Sequence, residues 1–478
     1  MIQQYLLIVG VFLAYWLYKR YYLSVRFFKD NNIPQPPIID FFRGNGHQVN
    51  DHAETKRNIT KYHNLLGETF GITSGASSLL LTTDANLLYK VFKEQSSLHV
   101  NRGDTLMPSD LMNDCSLLAN ENADWARCRG IIGPELTLNK LKREDIQRDL
   151  NDAAESVCQY LRRRANPDTV IDAGKLFKTF TLDTVLRATF DQRGQVDYES
   201  TDNYALNCLE RIVQCIYHPA FVCIQYVPIL RPILMLLDRV TTNFRGTVVG
   251  VANNALENPA VSSDGPRMKH KLLDAFKAGR LSQAELWGNA AFMAAAGWDT
   301  TAQALAALVW LLAAHPEKQT KLRDDIVRDG HQSHYLDWCI RETLRLYPPA
   351  FTARQLAHDI EWKGMTMRKG LMVIPSIFEL HKKPEYWGDD ADVFRPERFA
   401  PEEACKHHKA QFFAFGMGPR NCVGAKLAML EMQMLISRLI TEYSIQFCDK
   451  SPKFLDIYCP LIFVPVIRDS VILKFVKI

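Results

Sequence analysis

The sequence has no large excess of charge of either sign. Its 478 residues include 57 Lys and Arg against 53 Asp and Glu, which gives a formal net charge of +4. So small an excess provides no general attraction for nucleic acid, and we expect no nucleic-acid partner. The eleven cysteines are odd in number and are scattered without paired spacing. This argues against a disulfide framework and favours reduced thiols that face the cytosol.

Linkers, repeats and nucleotide-binding loops are also missing. No Ser/Gly-rich linker, acidic tail, low-complexity block or internal repeat divides the chain. One large domain is therefore favoured over the roughly three domains that length alone suggests. The chain has no Gly-x-Gly-x-x-Gly after a strand, so it carries no nicotinamide or flavin loop of its own. A redox reaction would have to receive its electrons from another protein.

The start of the chain is apolar. Residues 2–18 carry no charge and are mostly large apolar side chains, and Lys19 and Arg20 follow them directly. A bilayer span needs roughly 17–25 such residues, and a positive C-terminal flank keeps the following chain in the cytoplasm. A cleaved signal peptide would have positive charge before the run and a small-residue cleavage site, and neither is present. We therefore expect a retained anchor.

These features divide the chain into three parts. We expect a membrane anchor over residues 1–20, a basic and proline-rich hinge over 21–40, and a single folded domain over 41–478. The closely spaced prolines of the hinge favour a stiff, extended connection.

One cysteine lies in a glycine-rich loop directly before an apolar run. The loop extends from Phe415 to Gly424, and the residues from Val423 to Tyr443 have apolar side chains at helical spacing. Cys422 would lie at a helix N-terminus, where free N–H groups and the helix dipole favour an anion. We therefore expect a thiolate that can ligate a metal. The alternative is an ordinary buried cysteine before a core helix.

A long buried helix is predicted between Leu281 and Pro316. The stretch opens with a capping box, is rich in Ala and Leu, and ends at the proline. Gly297, Asp299 and Thr300 interrupt its apolar centre, and a buried carboxylate is costly unless it has a partner or a task. The structural alternative is that Asp299 pairs with a cation and Thr300 donates to the carbonyl four residues earlier.

Two further pairs have helical spacing. Trp125 and Arg129 lie four residues apart, and Glu342 and Arg345 lie three apart, so each pair shares one helix face. Taken alone, either pair is typical of surface packing or of a surface ion pair.

The cysteine loop matches the pattern Phe-x-x-Gly-x-Arg-x-Cys-x-Gly. The match uses Phe415, Gly418, Arg420, Cys422 and Gly424. This resembles the haem-binding loop of the cytochrome P-450 family, in which the cysteine thiolate is the axial iron ligand. The resemblance extends to the other motifs in the same order along the chain, and it covers essentially the whole chain. It implies a mainly α fold with a smaller β part, preceded by one N-terminal transmembrane helix.

The resemblance also implies a role for each motif. The segment from Ala296 to Thr301 is similar to the family's oxygen-activation groove. By this resemblance the metal ligand is Cys422, and the catalytic residues are Asp299 and Thr300. The implied haem-binding residues are Arg102, Trp125, Arg129, Arg354, Phe415, Gly418, Arg420 and Gly424. The implied structural cluster is Glu342, Arg345 and Arg398. One departure is the short connection over residues 330–335, where many membrane-bound members have an extra helix.

The implied reaction inserts one oxygen atom of O2 into a lipophilic substrate and releases the other as water. The resemblance implies haem b as cofactor, NADPH–cytochrome P-450 reductase and cytochrome b5 as electron-transfer partners, and the endoplasmic reticulum membrane as location. Candidate substrates are fatty acids, steroids, terpenoids and foreign compounds. The expected pocket residues are apolar: Phe292, Ala295, Ala296, Phe351 and Ile457.

Two other functions remain open on the sequence. One is an oxygen-independent haem-thiolate isomerase or dehydratase, although such relatives tend to lose the acid–alcohol pair that Asp299 and Thr300 form here. The other is a non-catalytic haem sensor, for which intact proton-delivery residues would be unnecessary. Dependence on O2 and NADPH separates the monooxygenase from both.

Overall fold

Helices make up most of the structure. A computed structural model of the chain describes residues 10–11, 14–16, 18–19, 22, 26–37, 54–74, 77–103, 111, 115–164, 169–200, 203–216, 236, 243–257, 265–349, 352–458, 466–468 and 470–478. The α-helices within these ranges are α1 (Phe27–Asp30), α2 (Thr55–Leu66), α3 (Ala85–Tyr89), α4 (Asn122–Ile132), α5 (Leu138–Leu141), α6 (Glu144–Arg163), α7 (Ala173–Phe190), α8 (Tyr204–Ile216), α9 (Phe244–Glu257), α10 (Met268–Lys277), α11 (Gln283–Ala314), α12 (Pro316–Asp329), α13 (His334–Leu346), α14 (Ile377–Lys382), α15 (Pro384–Trp387), α16 (Pro401–Ala404) and α17 (Ala425–Glu442).

The β part is smaller. Its described strands are β1 (Thr69–Ser74), β2 (Ser77–Thr82), β3 (Val170–Asp172), β4 (Arg354–Gln355), β5 (Ile360–Trp362), β6 (Met365–Met367), β7 (Met372–Pro375), β8 (Tyr443–Gln446), β9 (Ile457–Tyr458), β10 (Val466–Ile467) and β11 (Ile472–Lys477). One sheet has the order β1-β2-β7-β4, with β1 and β2 antiparallel and β2 parallel to β7. A second sheet has the order β3-β11-β8, and β5-β6 and β9-β10 are two-stranded. The expected fold class, mainly α with a smaller β part, is confirmed.

Helix α11 runs through the centre of the fold. Its N-terminus is closed by the predicted capping box, in which Ser282 Oγ accepts from the Glu285 N–H at 3.2 Å and the Ser282 N–H donates to Glu285 Oε2 at 2.8 Å. The helix ends at Ala314, directly before the proline that starts α12. Helices α7, α9 and α13 pack along it. Its N-terminal half lies in one apolar core and its C-terminal half in another.

The described part of the hinge packs onto the first sheet. Phe28 of α1 is fully buried against Gly71 of β1, where an added Cβ would lie 2.2 Å from the Phe28 ring. The Gly71 N–H donates to the Pro34 carbonyl at 2.7 Å. Phe28 and Pro34 of the hinge therefore contact the first sheet of the folded domain directly.

No helix among the described residues is both long enough and apolar enough to cross a bilayer. Most of the predicted anchor, residues 1–20, lies outside the described residues.

Candidate functional site

The cysteine loop has a backbone conformation that requires glycine. Gly418 has φ +73°, and a Cβ built there would lie 2.0 Å from the Phe92 carbonyl oxygen. Gly416 also has positive φ, at +68°. The Cys422 N–H donates to the Phe415 carbonyl at 2.8 Å, which closes the loop. These constraints place Cys422 three residues before the first residue of α17.

A Gly418→Ala substitution should therefore destabilise the protein markedly. Backbone strain alone costs about 1–3 kcal/mol, and the overlap with the Phe92 carbonyl adds to it because a backbone atom cannot rotate away. Gly424→Ala is the matched control, since Gly424 has φ −88° and an added Cβ meets no atom within 4 Å. Thermal unfolding of both variants checks the prediction. Equal losses of thermal stability in the two variants would contradict the steric argument.

The Cys422 thiol opens onto a cavity and is enclosed by protein on its other sides. Burial raises the pKa of this thiol, while the N–H groups of Gly424 and Ala425 and the charges of Arg102 and Arg129 lower it; burial prevails. The helix N-terminus and the nearby arginines therefore act against burial, and the thiolate expected from the sequence stays a prediction. A metal cation at the sulfur would supply the missing stabilisation, because a coordinating thiol is deprotonated outright.

The cavity has a volume of about 330 Å³ and lies between the cysteine loop and α11. Its rim carries the guanidinium groups of Arg102, Arg129 and Arg420. Among the described residues, none of the three has a carboxylate within ion-pair distance; their partners are carbonyl and amide oxygens of Leu118, Asn120, Arg420 and Asn421.

Three arginines in one cavity, without a carboxylate partner among the described residues, are an unfavourable arrangement unless an anion binds there. Burial, with a smaller contribution from Arg129, lowers the pKa of Arg102 to about 10. Burial, with smaller contributions from Arg102 and Arg129, lowers the pKa of Arg420 to about 9. The buried Nε of each also lacks a hydrogen-bond partner. A bound group with two carboxylates would satisfy both the charge and the open donors. A haem, with two propionates, fits this rim.

The Trp125 ring contributes an aromatic face to the same rim. Trp125 and Arg129 both lie on α4 and both line the cavity, as their spacing predicts. The Arg420 guanidinium carbon stands 4.8 Å from the centroid of the Trp125 ring. Cation–π contact of this kind holds the arginine in place without neutralising its charge.

Arg354 lies behind the loop, away from the cavity surface. It is 1% exposed, its guanidinium stacks 4.6 Å from the Phe92 ring centroid, and it donates to the carbonyls of Ala353 and Met417 at 2.8 and 3.2 Å. Because Met417 belongs to the cysteine loop, these contacts hold the loop from behind.

The threonines and the acid of α11 point in different directions. Thr300 and Thr301 line the cavity, and Thr300 Oγ1 donates to the Ala296 carbonyl at 2.8 Å. The Asp299 carboxylate does not line it: one oxygen is 3.4 Å from Lys178 Nζ and the other accepts from the Gln303 amide. Both structural alternatives raised on the sequence are thus present. A proton from Asp299 would have to travel around the helix.

Close packing between two helices explains why position 297 is a glycine. A Cβ at this position would lie 2.6 Å from Val185 Cγ2 on α7. The glycine lets α7 and α11 approach closely, which a sequence reading of helix propensity does not anticipate.

Glu342, Arg345 and Arg398 form one buried cluster. Glu342 Oε2 lies 2.7 Å from Arg345 Nε, and Glu342 Oε1 lies 3.3 Å from Arg398 Nε. All three residues are at most 2% exposed. The two arginines also donate to the carbonyls of His381, Ala391 and Trp387, so the cluster joins α13 to the segments that precede the cysteine loop.

His381 is a residue that the sequence reading missed. Its Nδ1 donates to the Arg345 carbonyl at 3.1 Å, and its Nε2 accepts the Phe413 N–H at 2.8 Å. Burial beside Arg345 lowers the pKa of His381 to about 3, so the ring stays neutral. It links the buried cluster to the start of the loop. A lone histidine in the sequence gives no signal of such a contact.

Glu431 was missed too, although the sequence held a signal. It stands on α17 four residues after Leu427 and four before Leu435, both buried, so helical spacing places it on the buried face. It is 1% exposed and lines the cavity.

The expected substrate residues are divided between two places. Phe292 and Ala296 line the cavity, whereas Ala295 does not. Ile457 lines a separate small pocket beside Gln303. Phe351 lies outside the described residues.

The fold and the cavity define a class of mainly helical proteins that bury a bulky anionic cofactor beside a cysteine. The chain belongs to the cytochrome P-450 family, whose family model matches residues 34–465. It is accordingly a monooxygenase enzyme with a haem-iron cofactor.

Similar proteins support this placement. Cytochrome P-450 3A9 of Rattus norvegicus is 27% identical over 478 residues, covering 93% of this chain and 91% of that protein. Cytochrome P-450 3A31 of Mesocricetus auratus is 26% identical and covers 89% of this chain and 87% of its own length. Cytochrome P-450 3A29 of Sus scrofa is 27% identical, and the match covers 91% of this chain and 89% of that protein.

Proposed function

We propose that this monooxygenase carries haem b with the Cys422 thiolate on the iron and inserts one oxygen atom of O2 into a lipophilic substrate. The observation that carries the proposal is a thiol open to a cavity whose rim holds three arginines, none with a carboxylate partner in the part of the chain that the structure describes. Thiolate ligation favours cleavage of the O–O bond when haem is bound. The propionates would be held by Arg102, Trp125, Arg129 and Arg420, with Arg354 behind the loop, and Phe415, Gly418 and Gly424 would shape it.

Thr300 orients dioxygen and protons in this proposal. Its hydroxyl lines the cavity opposite the cysteine loop, and it can turn from the Ala296 carbonyl toward a ligand. Asp299 would exchange protons with solvent at the far side of α11, where its carboxylate lies 3.4 Å from Lys178 Nζ.

Thr300→Ala should keep the thiolate-type CO difference spectrum but waste electrons. Without the hydroxyl, O2 reduction ends more often at hydrogen peroxide, so peroxide per NADPH rises and product per NADPH falls. Thr320→Ala is a matched control, because Thr320 on the surface of α12 makes the same bond to a carbonyl four residues earlier. An unchanged ratio of product to NADPH consumed in the Thr300 variant would contradict the proposed role of the Thr300 hydroxyl.

Electrons would come from NADPH–cytochrome P-450 reductase, with cytochrome b5 as a second donor. Lys406, Lys409 and Arg395 lie near the cysteine loop in sequence and could form a basic docking face; Lys406 and Arg395 already pair with Glu403 and Asp390. A requirement for an iron–sulfur ferredoxin instead would refute this donor. The anchor over 1–20 and the hinge over 21–40 would hold the catalytic domain, 41–478, at the endoplasmic reticulum membrane with the domain facing the cytoplasm.

Reconstitution tests the proposed function. The full chain, reductase, NADPH and lipid vesicles would be combined with a panel comprising a fatty acid, a steroid, a terpenoid and a foreign compound, first screened by binding difference spectra. We expect at least one binder to yield a product that carries one atom from labelled O2. Product formation without O2 and NADPH would support the isomerase alternative. Binding spectra without any NADPH consumption would support the sensor.

A further inference from the structure

Residues 115–120 form one wall of the cavity, and we call them the wall segment. Leu117 and Leu118 of this segment line the cavity. The carbonyls of Leu118 and Asn120 accept hydrogen bonds from the Arg420 guanidinium at the rim. The position of the wall segment therefore affects both the space for a substrate and the rim of the cavity.

The side-chain amide of Asn289 on α11 holds the start of the wall segment. Its Oδ1 accepts the Leu117 N–H at 2.8 Å, and its Nδ2 donates to the Cys115 carbonyl at 3.2 Å. The same Nδ2 also donates to the Glu285 carbonyl, one helical turn earlier, at 2.8 Å. Asn289 is fully buried. Its amide therefore binds the backbone of residues 115 and 117 from both its donor and its acceptor end.

The residue before it, Gly288, lets backbone lie directly on α11. A Cβ at this position would lie 2.4 Å from the Leu111 carbonyl oxygen and 2.9 Å from the Cys115 carbonyl oxygen. Glycine in the interior of a helix is unfavourable compared with alanine, so its presence here is explained by this close approach. Gly288 and Asn289 thus make two independent contacts with the same stretch of chain.

Asn289 acts on the cavity through the residues that it holds. The next turn of α11 contributes Phe292 and Met293 to the cavity lining, whereas Asn289 itself points to the wall segment. A substrate would therefore touch Leu117 and Leu118 and not the amide. Where these two leucines stand depends on the hydrogen bond to the Leu117 N–H.

We propose, resting on the proposed function, that Asn289 is a positioning residue that sets which lipophilic substrates this enzyme accepts. Held by the amide, Leu117 and Leu118 pack against a compact substrate and limit the length of the compounds that fit. Once released, the two leucines contact a compact substrate poorly and leave room for a longer one.

Hydrogen exchange tests the hold on the wall segment without turnover. Asn289→Leu has a side chain of similar size but removes both polar ends, so deuterium uptake at Leu117 should be faster by about 10- to 100-fold. Gln283→Leu, at the exposed first residue of the same helix, should leave this uptake unchanged. Uptake would be measured on the full-length holoenzyme, in peptides that cover the wall segment.

Gly288→Ala releases the wall segment by a different route. The added Cβ pushes against two backbone oxygens, while the Asn289 amide stays intact. We expect the same faster uptake as in Asn289→Leu. Gly130→Ala is the matched control, because Gly130 lies within α4 and a Cβ there meets no atom within 4 Å.

Binding and kinetics test the effect on substrates. For the panel compound that binds best, Asn289→Leu should raise the Kd from difference spectra and the KM by about 10-fold or more, because apolar contacts are lost. The kcat should change little, since the residue touches no reacting atom. For a longer analogue of the same compound, kcat/KM relative to the compact one should rise. A residue with a purely structural role would not produce this change in selectivity.

Every result counts for or against the proposal. Unchanged deuterium uptake in Asn289→Leu overturns it, as does faster uptake with unchanged Kd and KM. A fall in kcat at constant KM also overturns it. If Asn289→Leu fails to fold, Gly288→Ala takes its place, and the absence of either effect overturns the proposal. A wild type without O2-dependent product refutes the proposed function, while deuterium uptake still tests the hold of Asn289 on the wall segment.

Discussion

Cys422→Ser should abolish the thiolate-type CO difference spectrum and all NADPH-driven oxygenation. A serine hydroxyl has the same place in the loop but is not deprotonated at neutral pH, so it cannot give the iron the electron density that favours O–O cleavage. The backbone should be undisturbed, since the loop is closed by main-chain bonds and glycines. CO difference spectroscopy of the reduced protein, with haem content measured separately, checks this.

The control for this variant is Cys405→Ser. Cys405 is exposed and lies on a neighbouring segment, and its replacement should leave the spectrum unchanged. A Cys422→Ser protein that kept the thiolate-type spectrum would show that the assigned axial ligand is wrong, and with it the proposed site.

Glu342→Gln should be the most destabilising of the single substitutions considered. The carboxylate joins Arg345 and Arg398 in an interior where all three residues are at most 2% exposed. Removing one partner from a buried ion cluster leaves uncompensated charge and costs about 3–5 kcal/mol. Because His381 links the cluster to Phe413, we also expect reduced haem incorporation.

Asp337→Asn is the matched control on the same helix. Asp337 pairs with Arg341 at 2.7 Å, but the two side chains are 26% and 47% exposed. Exposed pairs contribute about 0.2–1 kcal/mol, so the loss should be several-fold smaller. Thermal unfolding and haem content of both variants distinguish the cases. Similar losses of thermal stability in the two variants would mean that the buried cluster stabilises the fold no more than an exposed ion pair does.

Local sequence patterns predicted the parts of the site whose geometry is set within one segment. The capping box and the proline gave the ends of α11, and the four-residue spacing put Trp125 and Arg129 on one face of α4. Both conclusions depend on helical geometry alone, which the sequence determines over a few residues.

Contacts between distant segments were harder to predict. The sequence could not show that Asp299 faces Lys178 of α7, that Gly297 makes room for Val185, or that Arg354 lies behind the loop. Each of these depends on how helices are rotated against each other, and that rotation follows from the packing of the entire core. The same reason hid His381 and Glu431, whose partners come from other elements.

The three arginines at the cavity rim, for which the described residues offer no carboxylate partner, would also connect this protein to the haem supply of its cell. Without haem, the mutual repulsion of the three guanidinium groups disfavours the folded state. Haem binding raises the free energy of unfolding by mass action, by about 2.7 kcal/mol when free haem is 100 times its dissociation constant. A shift of that size changes the fraction of chains open to proteases by roughly a hundredfold. When haem is scarce, we therefore expect the amount of this enzyme to fall through degradation, without any change in its synthesis.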